Sequence, residues 1–208
     1  MANSDLSASN KIKVGFFSAF FREHSVGKLL RGIIAELSKL DVFDVIFISP
    51  PMHGMADAFT REMRDNSDFY LQLDSDDPIV MREAIAQLEL DVLVYGELGM
   101  AHSAYFLSFS KLASRTAVFW GHGITSGNNN VDYFISSSLF ETPHAQSHYV
   151  ERLYLMPSIC KYSNRSLEFD TPQVPMYDMH KYLTVNVTQA HTFCLQQNMQ
   201  KAKQPKKY

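Results

Sequence analysis

Short apolar runs alternate with amphipathic stretches along most of this chain, and that alternation constrains the fold more than any other feature. Lys11–Ser18 contains Val14, Gly15, Phe16 and Phe17, a nearly continuous apolar run. Such a run suits a strand buried on both faces of a parallel sheet. His24–Leu40 then places Leu29, Leu30, Ile33, Ile34 and Leu37 at helical spacing, with Lys28, Arg31 and Lys39 on the other face. Val42–Ser49 reads as a second strand, stopped by Pro50 and Pro51. The pattern repeats with a helix over Ala56–Arg64, a strand over Phe69–Leu73 and a helix over Pro78–Leu88, capped by Asp76 or Asp77. A strand over Asp91–Tyr95, a helix over Ala104–Leu112, and strands over Thr116–Trp120 and Val131–Ser136 complete it. Strand alternating with helix predicts an α/β fold: a Rossmann-like, doubly wound parallel sheet with helices on both faces.

The remainder differs in character. Ser158–Pro175 is rich in Ser, Pro and polar residues and reads as a linker. Thr192–Leu195 looks like one more strand, with no helix after it to cover its edge. That pattern predicts a chain cut short.

Composition narrows the function. The net charge is −3, so no basic surface points to nucleic acid or an anionic membrane. Only Lys201, Lys203, Lys206 and Lys207 make a locally basic stretch, which suits either a solvated tail or a phosphate contact. Cys160 and Cys194 form neither a disulfide framework nor metal-ligand spacing. Met1–Asn10 is polar, without the apolar segment of a signal peptide, and no apolar run approaches a membrane span. The expected compartment is therefore cytoplasmic or nuclear, with no membrane partner.

In doubly wound sheets, ligands bind beyond the carboxyl ends of the strands. Three loops qualify here. Ala19–Gly27 carries Arg22, Glu23, His24 and Ser25 into a helix N-terminus, a setting that suits phosphate. Pro50–Gly54 carries His53. Gly121–Gly127 holds three glycines and two hydroxyls, so its backbone can approach a ligand closely or simply make a tight connection. There is no G-x-G-x-x-G, no H-E-x-x-H or C-x-x-C and no G-x-S-x-G. Dinucleotide-binding, metal and nucleophile-elbow chemistries thus have no support, and no metal site is expected.

Several stretches resemble the catalytic region of the SPINDLY-like family of O-linked N-acetylglucosamine transferases. Phe16–Leu29 is similar to that region's opening, where a strand leads into a loop with an active-site histidine. Phe119-Trp120-Gly121-His122-Gly123-Ile124-Thr125-Ser126-Gly127 resembles the family's W-G-H-P-x-T-T/S-G loop. Val131–Ser137 resembles I-D-Y-F-I-S-S, and Ala145–Leu153 resembles A-Q-x-H-Y-S-E-x-L. Asp91–Tyr95, Gly99-Met100 and Tyr105–Leu107 fall in family order between them.

The resemblance implies the N-terminal lobe of a GT-B type glycosyltransferase, two Rossmann-like lobes around a cleft. It implies transfer of N-acetylglucosamine or a related sugar from a UDP-sugar to Ser or Thr of acceptor proteins, with no metal and no other cofactor. His24 takes the position of the active-site histidine, orienting donor or acceptor, with a general-base role left open. Gly121, His122, Thr125, Ser126 and Gly127 match the loop lining the cleft. Gln197 and Lys201 match the glutamine and phosphate-binding lysine that open the second lobe, with Lys203 the alternative from its spacing to Pro205. The implied organisation is a leader over 1–10, a catalytic lobe over 11–157, and a linker with the truncated start of a second lobe over 158–208. Alone, such a chain is expected to be an incomplete, inactive fragment. The alternative is a non-catalytic binding or scaffold module that keeps one lobe. His122-Gly123 departs from the family's His/Tyr-Pro and loses a rigid turn, and Pro50–Gly54 lacks the carboxylate that some members carry there.

Overall fold

The apolar runs pair side by side. In the computed structural model, which describes residues 10–52 and 56–157, seven parallel strands form one sheet in the order β3-β2-β1-β4-β5-β6-β7. The strands are β1 (Ile12–Phe17), β2 (Phe43–Ser49), β3 (Phe69–Gln72), β4 (Leu90–Tyr95), β5 (Ala113–Phe119), β6 (Tyr133–Ser137) and β7 (Arg152–Met156). Four helices join the first five: α1 (Ser25–Leu37), α2 (Ala58–Asp65), α3 (Pro78–Ala86) and α4 (His102–Ser108). The first six strands follow the Rossmann order, so the direction of winding reverses between β1 and β4.

Central strands are buried because both their faces are covered. All seven residues of β2 are buried, and β1 pairs with β2 from Ile12↔Phe43 to Phe17↔Ile48. Phe17, Ile46, Ile48, Leu93, Tyr95, Val118 and Phe134 share one core, where Phe17 meets Tyr95 edge-on at 6.1 Å. The buried Asp44 of β2 is matched by Lys11, 3.6 Å away.

Most helix ends follow side-chain caps. Asp77 caps α3, accepting the Ile79 N–H at 2.8 Å just before Pro78. Asp57 caps α2 in a reciprocal box with Thr60. His24 lies outside α1 as its N-cap, and the helix ends where Ser38 returns both its N–H and its hydroxyl to the Ile34 carbonyl.

Three features correct the sequence reading or add to it. Helix α4 stops at Ser108 instead of running to Leu112, because side chains from a distant loop pin its end. Asn128 donates to the Ser108 hydroxyl at 2.9 Å and Asn130 to the Phe109 carbonyl at 2.7 Å. Released early, the chain starts β5 at Ala113, opposite Leu90. Second, helices do not cover every crossover. The β5–β6 connection has no helix, and the β6–β7 connection has only a 3-10 turn over Ala145–His148. Third, Arg152–Met156 is a strand that periodicity did not reveal, paired along its whole length with β6. The expected strand at Thr192–Leu195 lies outside the described residues.

Candidate functional site

The loops leaving β1, β4 and β5 meet at the switch point. After β1, the chain turns sharply: the Arg22 N–H bonds the Phe20 carbonyl at 2.8 Å, and the His24 N–H bonds the Arg22 carbonyl at 2.6 Å. Gly27 in the first turn of α1 gives this loop its seat. A Cβ there would lie 2.4 Å from the Arg22 carbonyl oxygen, so only glycine admits the approach.

His24 caps its own helix. Its Nδ1 accepts the Val26 N–H at 3.3 Å, so the neutral ring carries its proton on Nε2. The ring packs on Phe20 with centroids 4.6 Å apart. Burial holds its pKa below the ordinary imidazole value, and the nearby charges of Arg22 and Lys28 push the same way. Neutral imidazole is therefore the favoured form near pH 7.

The loop is fastened from two sides. On one side, Asp57 accepts the Glu23 N–H at 2.8 Å, and the Thr60 hydroxyl donates to the Phe21 carbonyl at 2.9 Å. Burial raises the Asp57 pKa, but the Glu23 and Thr60 amides outweigh it and leave the carboxyl below its usual range. On the other side stands Glu97, just past β4, with none of its surface exposed. The Ser18 hydroxyl donates to its carboxylate, and the Ala19 amide favours the charged form. Its Oε1 has no hydrogen-bond partner. Burial pushes this carboxyl up to about 7, against the opposing pull of Ser18 and the Ala19 amide.

Gly121 packs against the loop after β4. A Cβ on it would lie 2.3 Å from the Gly96 carbonyl oxygen and 3.2 Å from Val26. The result is a shallow cleft of about 210 Å³, lined by Ser25, Val26, Leu29, Trp120 and Gly121. Trp120 meets Phe140 edge-on at 5.0 Å, and its indole N–H has no acceptor among the described residues.

The expected site residues thus divide. The first turn of the helix that His24 caps shares the cleft with Gly121, and His122 reaches back to the loop after β4, where it lies beside Gly99. Thr125 and Ser126 turn to Glu151, which is 1% exposed. The Thr125 hydroxyl donates to Glu151 Oε2 at 2.7 Å, while the Ser126 N–H, at 2.7 Å, and the Ser126 hydroxyl donate to Oε1. The Gly127 N–H closes the turn onto the Thr125 hydroxyl at 3.2 Å. His53, Gln197 and Lys201 lie outside the described residues. Among the described residues, no cluster of His, Cys, Asp and Glu could hold a metal. No helix there is long and apolar enough to cross a membrane. Sequence reasoning missed Glu97 and Glu151; the latter was present in the A-Q-x-H-Y-S-E-x-L resemblance without a role.

Parallel strands in Rossmann order, with a cleft at the switch point, define a Rossmann-like α/β lobe. No protein-family model matches the chain, and no curated protein matches it either. Solved structures share the fold. A mutant of the O-GlcNAc transferase from Thermobaculum terrenum superposes with a TM-score of 0.62 at 22% identity, over 71% of this chain. The matched part is 28% of that transferase chain, so this chain spans a little over a quarter of its length. At that identity the likeness establishes the fold, one found in a glycosyltransferase.

Proposed function

We propose that this chain is the N-terminal lobe of a GT-B type glycosyltransferase, which transfers N-acetylglucosamine or a related sugar from a UDP-sugar to Ser or Thr of acceptor proteins. One observation carries the reading: the helix capped by His24 and the loop beginning at Gly121 wall the same cleft at the switch point. Val26, Leu29 and Trp120 offer an apolar wall to the carbon face of a pyranose, and Ser25 offers a hydroxyl. With Nδ1 committed to the Val26 N–H, His24 Nε2 is a donor. Its role in this reading is to orient a sugar or acceptor oxygen. Acting as general base would require the other tautomer and loss of the cap. Lys201 and Gln197 take the parts that the family resemblance gives them, Lys201 offsetting charge on the departing diphosphate. No metal enters the scheme. Most of the donor enclosure belongs to a second lobe, so the chain alone is inactive in this reading, being unable to exclude water.

Isothermal titration of the purified chain with UDP and UDP-GlcNAc tests the proposal. Binding tighter than about 1 mM, roughly 4 kcal/mol, that weakens in His24→Ala and Lys201→Ala is the expected result. A folded sample that gives no heat removes the donor site from this lobe. It would favour a non-catalytic scaffold, the reading that draws on Ile124 and Leu139, which are 62% and 66% exposed on the loops after β5 and β6.

A further inference from the structure

We propose that Glu97 is the positioning residue for His24: a sealed carboxyl that fixes the β1–α1 loop through Ser18 and so sets where the imidazole stands. The inference rests on the reading above that His24 belongs to a functional site, but its test needs no sugar nucleotide.

The connection can be followed atom by atom. Glu97 accepts the Ser18 hydroxyl. Ser18 Oγ in turn accepts the Phe20 N–H at 2.9 Å. The Phe20 carbonyl holds the Arg22 N–H, the Arg22 carbonyl holds the His24 N–H, and the Phe20 ring packs on the imidazole. Each link spans two residues, so the loop has little slack between the carboxyl and the ring.

A packing role does not account for this group. A fully buried carboxyl with one bare oxygen costs desolvation that an apolar side chain of similar volume would avoid. What an apolar side chain could not do is hold the Ser18 hydroxyl, whose oxygen in turn takes the Phe20 N–H, on another strand's loop. Burial also favours the neutral acid. Glutamine is its uncharged isostere, and its carbonyl can still accept from Ser18. The charged groups around the ring itself are Arg22 and Lys28, with Asp57 fastening the loop at Glu23.

The experiment is an NMR titration of the histidines in the full chain, comparing wild type, Glu97→Gln, Glu97→Ala and Ser18→Ala, with a His24→Gln spectrum to assign the signal. Wild type and Glu97→Gln are expected to titrate alike, with His24 below the ordinary imidazole value. Glu97→Ala and Ser18→Ala are expected to raise it toward that value, as the ring gains solvent and loses its cap contact. Dispersed amide signals of β1 and β4 serve as the controls that report an intact fold. Unchanged His24 titration in both alanine variants, with those controls native, overturns the proposal. So does a shift in Glu97→Gln as large as in Glu97→Ala, which would make the carboxylate's charge, not its hydrogen bonds, the cause. Should Glu97→Ala unfold, Ser18→Ala decides alone. UDP binding that fails while His24 follows Glu97 would sink the transferase reading and leave this one standing.

Discussion

A carboxyl with no exposed surface titrates differently in the folded and unfolded chain, and Glu97 makes that difference measurable. Its folded-state pKa is about 7 against an ordinary 4.5. Below about pH 4.5 both states hold the proton, and the group imposes no charge-burial penalty. Between 4.5 and 7 the folded chain keeps a proton that the unfolded chain releases, so stability falls as pH rises through that window. Above 7 the loss is complete, on the order of 3 kcal/mol. Glu97→Gln removes the titration, so the stability gap between variant and wild type should widen in the variant's favour from pH 4 to pH 8. Urea unfolding at both pH values checks this, and a gap that stays constant would mean Glu97 ionises freely in the fold. Nothing in the string Gly96-Glu97-Leu98-Gly99 announces such a group. It reads as a turn after a strand, and its partner Ser18 lies 79 residues earlier in the chain. His24 was singled out by the family resemblance and by its loop's place after a strand, whereas the sequence reading began the helix at His24 and did not read the cap it makes to Val26.

Helices and loops were legible to the extent that their determinants were close in sequence. Asp77-Pro78 marked the start of α3, and Pro50 the end of β2, through effects that act within a residue or two. The end of α4 was not legible, because Asn128 and Asn130 decide it from 20 or so residues away. Strand β7 was hidden for a related reason: Leu153–Met156 is a short apolar run that stays largely exposed, and pairing with β6 is what makes it a strand. The Gly121–Gly127 loop belongs to the same class. Its two hydroxyls suggested ligand contacts, yet in the fold they are bound to Glu151, which ties the loop to the segment entering β7. Removing that acceptor strands three donors at once. Glu151→Ala is therefore expected to lower the unfolding free energy by about 2–4 kcal/mol. Denaturant titration against wild type measures it. A loss under about 0.5 kcal/mol would mean that water replaces the carboxylate and the clasp contributes little.

At the scale of the whole sheet, strand-and-helix alternation implied parallel pairing but could not order the strands. Order depends on which faces the helices cover, and the reversal between β1 and β4 arises only when α1 and α2 pack together while α3 and α4 form a second pair. That order has an energetic consequence. β1, β2, β4 and β5 each have a hydrogen-bonded strand on both sides and a mostly buried set of side chains. β3 and β7 close the two ends of the described sheet, and four of the five β7 residues keep some exposure. Opening a terminal strand breaks one ladder and exposes little apolar area, whereas opening β1 breaks two ladders and the shared core. Native-state hydrogen exchange should therefore be graded across the sheet. Amides of β1 and β4 should exchange only by global unfolding, at about 5–15 kcal/mol for a domain of ordinary stability, and those of β7 at several kcal/mol less. The Glu151 carboxylate, with the Val150 N–H on the Thr125 hydroxyl, ties the loop of Gly121 to the segment entering β7. Glu151→Ala should thus speed exchange in β7 while leaving β1 and β2 in step with each other. Equal protection of β7 and β1 in wild type would instead make the sheet a single cooperative unit, with no independent opening at the β7 end.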